Sequence, residues 1–101
     1  MAKDRLIYGE IDNRTDMVNV FTAIRSDVSK AESCADLTEL YRRAGYLITL
    51  TYAPSWEEKF GREAGSLRKV GEEEFRKTAR KINRRAEQIG TKADYDETWG
   101  D

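Results

Sequence analysis

The sequence contains no histidine and a single cysteine, Cys34. One thiol cannot form a disulfide within the chain, and a zinc site would lack the histidine ligands that usually complete it. Any proton transfer would fall to aspartate, glutamate, lysine, tyrosine or cysteine. Because secreted proteins of this size usually carry disulfides, the composition predicts a reducing, cytoplasmic location.

The sequence also has no long apolar stretch. Its longest segment without a charged residue covers positions 44–56 and is interrupted by Gly45 and Pro54. A membrane-spanning helix needs about 20 consecutive apolar residues, so we expect no membrane span. The first residues are not followed by the apolar run that is typical of a signal peptide.

Charge of one sign is not in excess. Eighteen basic and 19 acidic residues give a net charge of −1, although 37% of the 101 residues are charged. This balance predicts a well-solvated surface carrying both signs, rather than a protein that binds polyanions over its whole surface. The hydrophobic fraction of 39% is enough for one modest core, so we expect a single domain.

What the sequence does contain is helical periodicity. Apolar residues recur every three or four positions over 14–32, and Asn13 stands where an amino-terminal cap belongs. A second helix is predicted to start at Ser33 or Asp36. These two segments favour an all-α fold, a small bundle of three to four helices.

Residues 46–52 allow two interpretations. If the helical stripe continues through Gly45, the second helix ends near Pro54. If Gly45 ends the helix, the aromatic and β-branched residues over 46–52 form a strand. That strand would need a partner near residues 5–11, giving an α+β fold as the alternative.

The third and fourth helices are predicted from capping signals. The spacing of Ser55 and Glu58 matches a capping box and predicts a short helix over 56–60. After Gly71, a long amphipathic helix is expected over 72–89, with Gly90 as its carboxyl-terminal glycine. Its predicted apolar face consists of Phe75, Ala79, Ile82, Ala86 and Ile89.

The opposite face of this last helix is basic. Six cations fill an arc of about 180° at 100° per residue; they are Arg76, Lys77, Arg80, Lys81, Arg84 and Arg85. Such a face can contact several phosphates of a nucleic acid. Alternatively it is an ordinary solvated face, because Glu72 and Glu73 stand four residues before the first two cations, where they favour ion pairs.

Three aromatic residues are further candidates for partner binding. Trp56 and Phe60 stand one helical turn apart, where they either pack in the core or, if exposed, anchor a protein partner. Trp99 lies in an acidic segment over 91–101, which we expect to be a flexible tail following a domain over 1–90. The carboxylates of this tail are also candidates for folding back onto the basic face.

The sequence shows no catalytic, metal-binding or nucleotide-binding motif, so we expect neither an enzyme nor a cofactor. The function predicted first is a helical module that binds another protein in the cytoplasm; a second copy of the chain is one candidate partner, since short chains often complete a core by pairing. The alternative is an accessory nucleic-acid-binding protein that uses the basic face.

Overall fold

The computed structural model describes residues 11–91. They form four α-helices and one turn of 3-10 helix, namely α1 (Arg14–Val28), α2 (Cys34–Thr51), α3 (Pro54–Phe60), the 3-10 turn (Gly61–Glu63) and α4 (Ala64–Gln88). No strand occurs between residues 11 and 91, so the all-α prediction is confirmed and the alternative strand over 46–52 is wrong. Within these residues, no helix combines the length and apolar character that a membrane span requires.

The described residues exclude 1–10 and 92–101. The predicted partner strand near residues 5–11 therefore lies almost entirely outside them, and so do the start of the domain and almost all of the predicted tail. Trp99 is among the residues outside the description. The last helix ends at Gln88 and is followed by a glycine in the left-handed region, Gly90; the domain boundary at residue 90 stays a prediction.

The first two helices begin at the predicted caps. The side chain of Asn13 accepts a hydrogen bond from the Asp16 amide at 2.9 Å, and the Asp16 carboxylate accepts one from the amide before the cap. Ser33 and Asp36 form the same pair of bonds at the start of α2. In each pair the cap side chain satisfies a first-turn amide that the helix leaves without an acceptor, and the carboxylate satisfies the amide of the residue before the cap.

The three long helices form an up-down-up bundle. Near the start of α4, Gly71 faces Met17 of α1, and farther along both helices Thr78 accepts a hydrogen bond from Arg25. Contacts in this order show that α1 and α4 run parallel. The intervening α2 runs antiparallel to α4, because Ile48 near its end lies beside Gly71 and the earlier Tyr41 packs on the later Phe75; it therefore also runs antiparallel to α1.

The core lies where α4 packs against both α1 and α2. Its apolar side chains come from all three long helices, and α3 adds Trp56. The largest fully buried apolar side chains are Met17, Phe21, Ile24, Val28, Leu37, Leu47 and Ile82. Burial of this continuous set is the main term that stabilises the bundle.

The last helix starts eight residues earlier than predicted. Gly71 was expected to separate it from the preceding segment, but α4 begins at Ala64 and passes through this glycine without interruption. Gly71 is buried, and a Cβ built on it would lie 3.3 Å from the Met17 methyl carbon. Close packing of α4 on α1 therefore outweighs the roughly 1 kcal/mol that glycine costs in a helix interior.

The other boundaries shift by a few residues. The first helix ends at Val28 rather than at residue 32, after which Ala31 packs in the core from a turn. The predicted capping box at Ser55 does not form, because α3 begins at Pro54, two residues before the predicted start at residue 56, and is capped at Ala53. Proline suits that position since it has no amide hydrogen to satisfy.

Two helix-interior glycines lead to opposite expectations. A Cβ at Gly45 meets no described heavy atom within 4 Å, so Gly45→Ala should raise the free energy of unfolding by about 0.5–1 kcal/mol. Gly71→Leu should lower it by about 1–3 kcal/mol, because Met17 and Ile48 occupy the space. Urea denaturation followed by circular dichroism measures both. A Gly71→Leu variant as stable as the parent would contradict the close contact between α1 and α4.

Candidate functional site

The carboxyl-terminal half of α4 concentrates positive charge. Between Phe75 and Gln88 it carries six cations and a single carboxylate, that of Glu87. The six are the residues predicted from the sequence, and we call them the basic face: Arg76, Lys77, Arg80, Lys81, Arg84 and Arg85. The structure divides them into two groups of three.

The first group points into solvent. Arg76, Arg80 and Arg84 are exposed and follow one another at intervals of four residues, so they form a row with a spacing of about 6 Å along the helix axis. We call these three residues the arginine row. None of them has a hydrogen bond or an ion pair with any residue between 11 and 91. Their guanidinium groups are available to an external anion.

The second group is Lys77, Lys81 and Arg85, which are bonded to the protein or partly buried. The Lys77 ammonium donates a hydrogen bond to the Glu74 carboxylate at 3.1 Å. The Arg85 guanidinium donates to the main-chain oxygen of Ala31 at 2.9 Å, just beyond the end of α1. Lys81 is half-buried. Arg85 therefore links α4 to the turn after α1, whereas Lys77 is paired within α4 itself.

The ion pairs expected to neutralise the basic face are not formed. Glu72 was paired with Arg76 in the sequence analysis, but its carboxylate instead accepts a hydrogen bond from the Tyr52 hydroxyl. Glu73 was paired with Lys77, whose ammonium binds Glu74 instead. The arginine row therefore keeps its charge uncompensated by the described part of α4.

A groove separates the end of α1 from the end of α4. Its volume is about 210 Å³, and it is lined by Val28, Ser29, Lys81, Arg84, Arg85 and Gln88. The two helices are parallel, so both place their carboxyl ends here, which together amount to roughly one negative charge. Three full positive charges exceed this, and the groove is left positive.

A buried polar network joins α1 to α4 and was missed in the sequence analysis. The Arg25 guanidinium forms a 2.8 Å ion pair with the Glu74 carboxylate and donates to the Thr78 hydroxyl at 3.2 Å. The Thr78 hydroxyl donates in turn to the main-chain oxygen of Glu74 at 2.9 Å. The only signal in the sequence was the position of Glu74 and Thr78 between the apolar residues of α4.

The network sets the protonation of Glu74. Burial by itself raises the pKa of this carboxyl group. The hydrogen bonds from Arg25 and Lys77, together with the positive charges of the two residues, outweigh burial and hold the pKa below its ordinary value of 4.5. Glu74 is therefore an anion at neutral pH, although its side chain is only 8% exposed.

The network also shifts the buried face of α4 from the predicted one. Glu74 and Thr78 are buried, whereas Phe75 is only partly buried and packs edge-on against Tyr41 with ring centres 5.6 Å apart. Of the predicted apolar face, Ile82 and Ala86 are buried and Ala79 and Ile89 are partly exposed. The prediction was shifted because a charged residue such as Glu74 was assigned to the surface.

The aromatic candidates lie in the bundle or outside the description. Trp56 is buried, with its ring nitrogen donating to the Ala64 main-chain oxygen at 3.2 Å. Phe60 is partly buried and packs on the Trp56 ring at 4.4 Å between ring centres. Of the two alternatives given for this pair, core packing is the one observed. Trp99 is not described.

Comparison with known proteins does not extend these observations. No protein-family profile, curated protein or solved structure matches the chain. Within residues 11–91 there is no group of three or more potential metal-binding side chains. The candidate site therefore rests on the charge and geometry of α4.

Proposed function

We propose that this chain is a non-enzymatic interaction module whose arginine row binds the phosphate backbone of a nucleic acid. The observation that carries the proposal is the row itself, three exposed guanidinium groups one turn apart with no partner among residues 11–91. Each guanidinium can donate two parallel hydrogen bonds to a phosphate. Neutralising phosphates releases bound cations and supplies affinity without reading the base sequence.

A protein partner is the second candidate. Guanidinium groups pair equally well with carboxylates, and a net charge of −1 over the whole chain disfavours long-range attraction to nucleic acid. An apolar docking face has less support, because Tyr46 and Tyr52 are the only exposed large hydrophobic residues within the described range. We therefore place the binding surface, for either partner, on α4. A cytoplasmic location, predicted from the cysteine content, suits both.

Binding to a labelled 20-base-pair duplex, followed by fluorescence anisotropy, tests the proposal. With three phosphate contacts, affinity should fall by about 40-fold between 50 and 200 mM salt. A poly-glutamate peptide serves as the second probe. Tighter binding to poly-glutamate than to the duplex at equal salt would favour the protein candidate.

Charge reversal locates the surface. The double variant Arg80→Glu and Arg84→Glu should weaken duplex binding by at least about 10-fold at 50 mM salt, because it removes two of the three contacts and adds repulsion. The matched control is Arg14→Glu with Arg62→Glu, which changes the same amount of charge at exposed positions away from the basic face. Equal losses in the two variants would show that only net charge matters and would reject the arginine row. Thermal unfolding of each variant verifies that the fold is kept.

A further inference from the structure

The groove between the ends of α1 and α4 contains a charged group that has no partner in the described part of the chain. Lys81 is half-buried, and its ammonium forms no hydrogen bond and no ion pair with any residue between 11 and 91. Partial burial removes water from a charge, and a charge without a partner is left uncompensated. A half-buried ammonium of this kind indicates a place for an external anion.

The side chains around Lys81 offer hydrogen-bond donors. The Arg85 guanidinium donates from Nε to the Ala31 main-chain oxygen at 2.9 Å and from Nη1 to the Gln88 side-chain oxygen at 3.4 Å. These bonds fix the guanidinium and use two of its five N–H groups, so the others remain for a ligand. The Gln88 side-chain nitrogen and the Ser29 hydroxyl have no partner among residues 11–91. Of the described residues that line the groove, none is acidic.

The three cations of the groove lie close together on α4. Arg84 and Arg85 follow Lys81 by three and four residues, and side chains at these spacings are neighbours on a helix surface. Like charges in such positions repel each other. An anion bound in the groove removes this repulsion, because it is attracted by all three cations at once.

Carbonyl groups at the ends of the two helices would repel an anion, but several of them are already engaged. The Val28 oxygen accepts the Ala31 amide at 3.1 Å, and the Ala86 oxygen accepts the Thr91 amide at 2.9 Å. The Ala31 oxygen accepts the hydrogen bond from Arg85. Because the negative end of a helix dipole resides on carbonyl groups without a partner, the cations determine the sign of the groove.

The size of the groove suits a single charged group. Its volume of about 210 Å³ lies below the roughly 300–1,000 Å³ of pockets that enclose a complete organic ligand. A phosphate group with one ester bond has a charge between about −1.5 and −2 near pH 7 and three acceptor oxygens. This charge matches three cations better than the single charge of a phosphate inside a nucleic-acid backbone.

From these observations we propose that the groove binds a phosphate group with at most one ester bond, either free phosphate or the phosphate at the end of a nucleic-acid strand. Arg84 belongs both to the groove and to the arginine row. A strand whose backbone follows the row toward the end of α4 therefore places its last phosphate in the groove. Binding of a strand end rests on the proposed function, whereas the phosphate site itself does not.

Nuclear magnetic resonance titration with inorganic phosphate at pH 7.5 tests the site. Saturable shifts should appear at the backbone amides of residues 81–88 and at the side-chain Nε–H signals of Arg84 and Arg85, with a dissociation constant on the order of 1 mM. Sodium chloride at the same ionic strength is the reference, because screening alone acts on all exposed charges and does not saturate at one site. Absence of a saturable shift in the groove would overturn the phosphate site.

The variant Lys81→Gln probes the unpaired ammonium. It breaks no bond to residues 11–91, so its unfolding temperature should be no lower than that of the parent. Its dissociation constant for inorganic phosphate should rise by about 5- to 10-fold, since one charge-assisted contact is lost.

The matched control is Lys69→Gln. Lys69 is exposed on α4 and stands twelve residues before Lys81, so the same change of charge is made on the same helix away from the groove. It should change the dissociation constant by less than about 2-fold. Equal effects of the two variants would show that phosphate responds to net charge and would reject the groove.

Oligonucleotides distinguish the two sources of the phosphate. A 12-nucleotide strand labelled on an internal base is compared in three forms by fluorescence anisotropy at 100 mM salt: with a 5′ phosphate, with a 3′ phosphate, and with hydroxyl groups at both ends. At least one phosphorylated form should bind about 5- to 10-fold more tightly than the hydroxyl form. Lys81→Gln should abolish this advantage and Lys69→Gln should keep it. Equal binding of the three forms, together with saturable binding of inorganic phosphate, would assign the groove to free phosphate.

The proposed function and the phosphate site fail separately. If the duplex and all three strands fail to bind while inorganic phosphate shifts the groove signals, the arginine row is rejected and the phosphate site stands. If the three strands bind equally and inorganic phosphate gives no saturable shift, the phosphate site is overturned and the arginine row stands.

Discussion

Replacing Arg25 with alanine is expected to lower the free energy of unfolding by about 2–4 kcal/mol, far more than the loss of a typical surface arginine. The reason lies in Glu74, whose side chain is only 8% exposed. Without Arg25, its carboxylate keeps the hydrogen bond from Lys77 but loses its closest cation in a buried site. A buried charge that loses its partner carries the full penalty of its desolvation. Urea denaturation at pH 7 measures the change.

An exposed ion pair provides the matched control. Arg42 and Glu39 are 3.0 Å apart, with side chains 67% and 49% exposed, so Arg42→Ala should cost no more than about 0.5 kcal/mol. The double variant Arg25→Met and Glu74→Leu should recover most of the stability lost in Arg25→Ala, because it removes the buried charge together with its partner. If Arg25→Ala proved as mild as Arg42→Ala, the network would not stabilise the contact between α1 and α4.

The pH dependence of the same comparison gives an independent measurement. The pKa of Glu74 is held below 4.5 in the folded protein. The stabilisation that its ionised form provides is therefore fully present at pH values above the pKa that Glu74 has in the unfolded chain. As the pH falls through the folded pKa, the folded carboxylate takes up a proton and that contribution is lost. The stability difference between the parent and Arg25→Ala should therefore be constant near neutral pH and shrink below pH 4.5.

The sequence was most informative where local interactions determine the structure. Asn13 was recognised as a cap, and Ser33 was one of two candidates for the second cap, because capping depends on a few neighbouring residues. The apolar periodicity also favoured a helix over a strand at residues 46–52, and α2 does continue to Thr51. The start of α4 was missed, because Gly71 is held in the helix by Met17, a contact 54 residues apart in the sequence.

The sequence predicted which residues form the basic face but not which residues they bind. The six cations do share one side of α4, as helical geometry requires. The sequence could not predict which cations have a partner, because the partners are decided by contacts between helices. Glu74 binds Arg25 of α1, Arg85 binds the turn after α1, and Glu72 binds Tyr52. The contact of Arg85 with Ala31 and the pairing of Lys77 with Glu74 distinguish these two cations from the arginine row.

Trp56→Ala is the second substitution with a large expected effect, a loss of about 3–4 kcal/mol in the free energy of unfolding. Trp56 is 6% exposed, packs on Phe60 and bonds to the Ala64 main-chain oxygen. Its removal would leave a cavity where α3 meets α4. For a domain of this size, the loss corresponds to a fall in the unfolding temperature of more than about 10 °C, which differential scanning calorimetry measures.

Two further variants separate a core role for Trp56 from an interface role. Trp56→Phe keeps most of the buried area and loses only the ring hydrogen bond, so it should cost about 1–2 kcal/mol. Tyr52→Ala removes an aromatic side chain that is 60% exposed and should cost less than about 1 kcal/mol. A partner anchor would behave in the opposite way, because Trp56→Ala would then leave the unfolding temperature unchanged. The observed burial predicts the graded loss, with the alanine variant least stable and Tyr52→Ala closest to the parent.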